Sequence, residues 1–250
     1  MTLRMASLRV GLVFSFTVLL AACGDRQSAS LDELTAAGYS LNVAEYHRAA
    51  REGDVAALAL FLKAGVRPDI QNLLGETALY HAAAAGKLEA VEWLIAKGSN
   101  VSQRTASGVG LLHAAVESGS PRVVEVLMKT GLQPQSHDPL LVLSAKLGHL
   151  ELCQMLLELC LTQLDESFLE AAAAGRVAVA DYLLKRGANA FASRPPDGLT
   201  ALMLAAQNNH DRMVEYLLAN GANRFALDAE GRCAYAFAAS ARAERCVTLL

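Results

Sequence analysis

The sequence predicts an all-α repeat solenoid, built from short helix–turn–helix units that stack side by side. Three observations carry this. Glycines recur at Gly53, Gly86, Gly119, Gly148 and Gly175, and Asn209 and Arg242 continue the series at intervals of 33, 33, 29, 27, 34 and 33 residues. Twelve residues after the first six of these positions stand Gly65, Gly98, Gly131, Cys160, Gly187 and Gly221. A Val/Leu pattern of helical period fills each gap, and a fixed period near 33 residues is the signature of a repeat array.

The first residues read as an address and not as part of that array. Met1–Val10 carries Arg4 and Arg9 and no acid, and an apolar stretch of 13 residues, Val10–Ala22, follows. That stretch is too short for an ordinary bilayer-spanning helix, which needs about 20 residues. A basic start, a short apolar run and small residues at its end describe a secretory signal. Leu20-Ala21-Ala22-Cys23 resembles the bacterial lipobox. The resemblance implies cleavage before Cys23 and diacylation of its thiol, hence a membrane tether, since two acyl chains give stable anchoring. An ordinary signal cut near Ala22, with Cys23 incidental, is the alternative. By the same resemblance, Gly24 instead of Asp after the lipidated Cys points to the outer membrane, with the protein facing the periplasm. Loss of residues 1–22 removes two arginines and takes the net charge from −3 to about −5. Such a chain offers no basic field for nucleic acid.

Residues 23–42 form the linker. Ser30-Leu31-Asp32-Glu33 is a capping-box pattern, which predicts a short helix from there to Ala37, closing the apolar end of the first repeat. Residues 43–250 hold about six repeats and a truncated seventh. In a representative unit, Ala78–Ala85 is a short helix with small residues on one face, and Gly86 ends it because that position needs positive φ. Leu88–Ile95 is the antiparallel second helix, ended by Gly98. Asn209 tolerates the helix-ending conformation, and Arg242 does so less well. One unit cannot bury its apolar face alone, so the units must stack. At Leu249-Leu250 the last second helix is about a turn short, and an end repeat without a polar outer face should fray or seek cover.

These residues resemble the ankyrin repeat. Thr200-Ala201-Leu202-Met203-Leu204-Ala205-Ala206 matches its Thr-Pro-Leu-His-x-Ala-Ala opening, with Ala201 for Pro. Gly187-Ala188-Asn189 and Gly221-Ala222-Asn223 match its Gly-Ala-Asp/Asn, and Asp228-Ala229-Glu230-Gly231 matches its finger turn. The resemblance implies short β-hairpin fingers projecting beside the first helices. The junctions around Gln133–Pro139 and Cys160–Glu166 are short, so their fingers are expected to be reduced or absent, with the stack bent or interrupted there.

No catalytic constellation is visible. Among the six histidines, none is spaced i, i+4 with another in a metal-binding pattern. His47 and His113 take the opening's His slot, whose family role is to bond loop backbone; His149 and His210 follow the helix-ending slot, while His81 lies in a helix and His137 in a junction. Cys153 and Cys160 sit about 10.5 Å apart along one predicted helix and cannot pair. Cys233 and Cys246 lie in consecutive helices at different levels, so core thiols are expected. Cys-x-x-Cys and Gly-x-Ser-x-Gly are absent, and Gly108-Val109-Gly110, placed at a finger base, lacks the Lys-Ser/Thr of a phosphate loop. Neither metal, cofactor nor small-molecule substrate is expected.

The resemblance instead implies a concave protein-binding groove lined by finger tips and first-helix ends. Carried over by position, the first finger offers Leu73, Leu74 and Glu76, and the second Arg104, Ser107 and Val109. The last two offer Arg194, Asp197, Leu199, Glu230 and Arg232. Helix ends add Arg51, Glu52, Glu117, Lys146, Gln207 and Asn208. Two leucines at a tip lack a local burial reason, and Arg194 and Arg232 are expected anchors for an acidic partner. The functional expectation is a non-catalytic, lipid-tethered binding protein of the cell envelope, neutralising a toxin or effector. The alternative is an accessory lipoprotein that supports an envelope complex or protects an enzyme.

Overall fold

The computed structural model describes residues 26–134, 138–159 and 163–250, and side chains from residue 29 on. The signal segment, the lipobox with Cys23, His137 and Cys160 lie outside the described residues. The described residues form seven antiparallel helix pairs preceded by one helix, α1 (Arg26–Ala36). First helices are α2 (Val43–Glu52), α4 (Ala78–Ala84), α6 (Leu111–Glu117), α8 (Leu140–Leu147), α10 (Leu164–Ala173), α12 (Ala201–Gln207) and α14 (Ala234–Ser240). Second helices are α3 (Val55–Lys63), α5 (Leu88–Ala96), α7 (Pro121–Lys129), α9 (Leu150–Leu157), α11 (Val177–Lys185), α13 (Asp211–Ala219) and α15 (Glu244–Leu249).

Each first helix packs on the next along one row, and each second helix on the next along another. Alanine makes the first row close: Ala49, Ala50, Ala82, Ala83, Ala114, Ala115, Ala171, Ala172, Ala205 and Ala206 are fully buried. Larger side chains such as Phe61, Leu94, Leu127, Leu156 and Leu183 fill the space between the rows. In the fourth pair Ser144 replaces the first of these alanines; it is also buried, and its hydroxyl donates to the Leu141 carbonyl at 2.8 Å. That bond removes the cost of a buried hydroxyl. Three first helices in the flanks are started by side-chain caps: Asn42 Oδ1 accepts from Glu45 N, Thr77 Oγ1 from Tyr80 N and Thr200 Oγ1 from Met203 N. Such caps stabilise a helix by about 1 kcal/mol. In the middle, α8 and α10 follow Pro139 and Gln163 without one.

Two expectations are corrected. The capping box at Ser30–Glu33 is not used: α1 is already helical from Arg26, and Ser30 lies inside it, buried. Tertiary packing sets this helix. Leu34 is buried against the stack and α1 sits on α3, while the Tyr39 hydroxyl donates to Glu52 at 2.9 Å and Asp54 at 3.2 Å. Nor is the stack interrupted in the middle: α8 packs on both α6 and α10, and a single core runs from Leu34 to Cys246. The irregularity falls on the connections. Ten residues (130–139) join α7 to α8 and six (158–163) join α9 to α10, against fifteen (186–200) from α11 to α12. Helix pairs bury their apolar faces whatever the length of the loop beside them, so the stack continues.

Candidate functional site

Among the described residues four fingers project beside the first helices, and each is organised by an Asx, Thr or Asp side chain folding back on the backbone. In the first, Asn72 Oδ1 accepts from Leu74 N and Glu76 N at 2.9 and 3.0 Å. In the second, Arg104 and Gly110 form a bridge, Thr105 closes the turn onto Val109, and Ser107 Oγ lies 3.0 Å from Thr105 Oγ1. Gly108 is therefore on the tip of this turn and Gly110 at its base, so only one of the two glycines sits where the repeat register places both. The third finger is the antiparallel pair β1 (Ser193–Arg194) and β2 (Leu199–Thr200), with Ser193 opposite Thr200. The fourth is Asp228–Arg232, where Asp228 Oδ1 accepts from the backbone of Glu230 and Arg232.

The fingers are coupled in pairs. Ala106 N donates to the Leu74 carbonyl at 2.8 Å, and Ala229 N to the Asp197 carbonyl at 3.0 Å. The first coupling needs Gly75: its φ is +74°, and a Cβ there would stand 2.8 Å from Ala106 N. Between the second and third fingers, no β-bridge forms among the described residues.

The positions expected to meet a partner divide into two groups. Leu73 and Leu74 stand on the first tip, 102 % and 62 % exposed, with no folding role for their side chains. Ser107, Gln207 and Glu230 are also exposed, as is Asn208, which bonds back to the Leu204 carbonyl. The second group is engaged within the protein. Arg194 donates to Asp197 at 2.8 Å, and Arg232 pairs with Asp228 at 2.8 Å and Glu230 at 2.9 Å. The guanidinium of Arg194 holds the Asp197 carboxyl below its ordinary range. Both arginines thus brace their own fingers before any partner arrives. Glu76 accepts from Asn72 Nδ2 and faces His81 at 3.4 Å, Arg104 reaches Asp138 at 3.5 Å, and Glu117 lies 3.7 Å from His113.

Histidines provide the electrostatic detail that spacing did not reveal. His47 is buried, its Nε2 is 3.1 Å from the Ile70 carbonyl, and its ring lies 4.8 Å from that of His81. Burial pushes His47 down to about 4 and His81 down as well, so both are neutral at neutral pH. His149 and His210 lie over the helix-ending glycines of the preceding repeats, Gly119 and Gly175. Cys153, Cys233 and Cys246 carry free thiols, and the described residues contain no group of three metal-ligating side chains.

The comparisons with known proteins follow this geometry. The family model for ankyrin repeats (three copies) matches residues 46–138 and 168–250, leaving residues 139–167 unmatched. The mouse inactive serine/threonine-protein kinase TEX14 is 34% identical over 95 residues, covering 38% of this chain and 7% of its own length. The ankyrin repeat and KH domain-containing protein mask-1 of Caenorhabditis elegans is 27% identical over 220 residues, covering 70% of this chain and 8% of its own. This chain thus spans less than a tenth of either relative. The crystal structure of the human ASB11 ankyrin repeat domain superposes with a TM-score of 0.68 at 25% identity, covering 82% of this chain and 97% of that domain. With more than half of its residues matched and its stacked pairs and fingers in place, the chain belongs to the ankyrin-repeat family.

Proposed function

We propose that the protein is a lipid-tethered ankyrin-repeat binding protein of a bacterial cell envelope, which holds a partner protein in its concave groove. The observation that carries the reading is the pair of coupled fingers presenting Leu73 and Leu74: fully formed, braced by backbone bonds, and exposing apolar surface that folding leaves unused. A preorganised groove of this kind loses little conformational freedom on binding. The tether is supported by the sequence of residues 1–23, and it raises the local concentration of the groove at one membrane. No described helix is long and apolar enough to cross a membrane. Within this reading, neutralising a toxic enzyme or effector of the same envelope is the specific role.

The test is capture from cells, comparing the wild type with Leu73→Ala/Leu74→Ala and with Cys23→Ser. The expected result is one stoichiometric partner, lost with the leucines, and a protein released from the membrane fraction by Cys23→Ser. A partner whose toxicity rises when this protein is removed identifies the neutraliser. Retention of the partner by the double-leucine variant overturns the groove, and membrane retention of Cys23→Ser overturns the tether.

A further inference from the structure

We propose that the opening between the two finger pairs is a docking cleft for a basic, extended segment of the partner that also carries an apolar side chain. The proposal rests on the reading that the concave side binds a partner, and narrows it to one place and one chemistry.

A cavity of about 680 Å³ opens at this point, walled by the first turns of α10 and the stem of the third finger. That volume falls within the range of built ligand sites, about 300–1,000 Å³. The floor is apolar. Six residues before the helix-ending position, the first three repeats carry His47, Tyr80 and His113, whereas from the fourth onward the position is apolar, with Leu169 in the fifth. Leu169 lines the cavity together with Pro195 and Phe191. Phe191 is 69 % exposed, and Phe225, at the equivalent place one repeat on, is 79 % exposed. Folding gives neither ring a partner among the described residues.

The rim selects the occupant. Asp165, Glu166 and Glu170 line it. Asp165 accepts from Asn189 N at 2.7 Å, Glu170 faces the largely exposed Lys146 at 3.7 Å, and Glu166 makes no ion pair among the described residues. The lining cation, Arg194, is committed to Asp197. Acidic residues in a helix's first turn also favour the helix dipole, which accounts for Asp165 and Glu166 alone. It does not account for an open cleft, an apolar floor and an exposed aromatic beside them. A Lys or Arg on the rim with an aliphatic side chain on Leu169 satisfies both features at once, the arrangement of an apolar interface centre inside a charged rim.

The test uses the mature chain from residue 23 with Cys23→Ser, which keeps every described residue and leaves no lipid to compete. Phenylalanines are labelled with fluorine, and Phe191→Leu assigns the Phe191 signal. Three 12-residue synthetic peptides are titrated, alternating Lys–Leu, Glu–Leu and Lys–Ser. The expected result is that only Lys–Leu saturates a shift of Phe191, that Glu166→Lys/Glu170→Lys weakens it at least tenfold, and that Leu73→Ala/Leu74→Ala leaves it unchanged. Equal binding of Glu–Leu or Lys–Ser overturns the proposal, as does indifference to the charge reversal. A Phe191 shift driven by protein concentration alone would give the cleft to a second copy and equally overturn it. No binding of Lys–Leu, while a partner is still captured through Leu73 and Leu74, removes the cleft and leaves the groove; loss of both removes both.

Discussion

The flanks and the middle of this molecule share one helix stack but differ in everything that projects from it. In the flanks α2, α4 and α12 start with side-chain caps, and adjacent tips are bonded through Leu74–Ala106 and Asp197–Ala229. In the middle, α8 and α10 start without caps and the connections are short. Yet Leu140, Leu141, Leu152 and Phe168 are as completely buried as their flank equivalents. Stack and fingers are therefore separable: the first supplies stability, the second supplies surface.

The largest test of that separation is in the core. Phe168→Ala in the middle and Phe61→Ala in the flank, both fully buried, should each cost about 3–5 kcal/mol in urea unfolding. A much smaller cost for Phe168 would mean that the middle is loosely packed. Next comes the helix-ending geometry. At Gly175, φ is +69° and a Cβ would stand 2.8 Å from the His210 ring, so Gly175→Ala should cost about 2–3 kcal/mol, combining left-handed strain with displacement of the ring.

Acid should act on the histidine-bearing flank. The folded protein holds His47 near 4, below its value of 6.5 in the unfolded chain. The unfolded state thus binds a proton first as pH falls. The stability present above pH 6.5 is lost progressively toward pH 4, by about 2 kcal/mol at pH 5. His81 adds to it in the same direction. Stability measured at pH 7.5 and pH 5 should show this slope in the wild type and a shallower one in His47→Gln.

A gain is expected at Arg242, which takes the same left-handed conformation at φ 56° without being glycine. Arg242→Gly should stabilise by up to about 1 kcal/mol, whereas Asn209→Gly, at φ 58°, should change little because Asn tolerates that region. The smallest effect belongs to the tips: Leu73→Ser should stay within about 0.5 kcal/mol of wild type. A larger loss would show that the tip serves folding.

The period, the helix pairs, the glycine stops and the exposure of Leu73 and Leu74 were legible because each follows from local chemistry repeated at fixed spacing. What escaped depends on neighbours distant in sequence. The start of α1 is set by Leu34 and Tyr39 docking on α2 and α3, which overrides the Ser30 capping signal. Arg194 and Arg232 were legible as exposed finger cations, but spacing alone does not say that each turns onto an aspartate of its own finger. Short junctions suggested a bent or interrupted stack because loop length is visible in sequence and helix-to-helix burial is not. The cleft needs Leu169 and Phe191, on successive repeats, to face one volume, and no local motif announces that.

The most direct measurement of the central claim is site-specific photocrosslinking in cells, with the crosslinker at Leu73 on the first tip or at the exposed Glu92 on α5. The account predicts one discrete crosslinked partner from Leu73 and none from Glu92. The same partner captured from Glu92 alone would place the interface on the second-helix row and contradict the assignment of binding to the fingers.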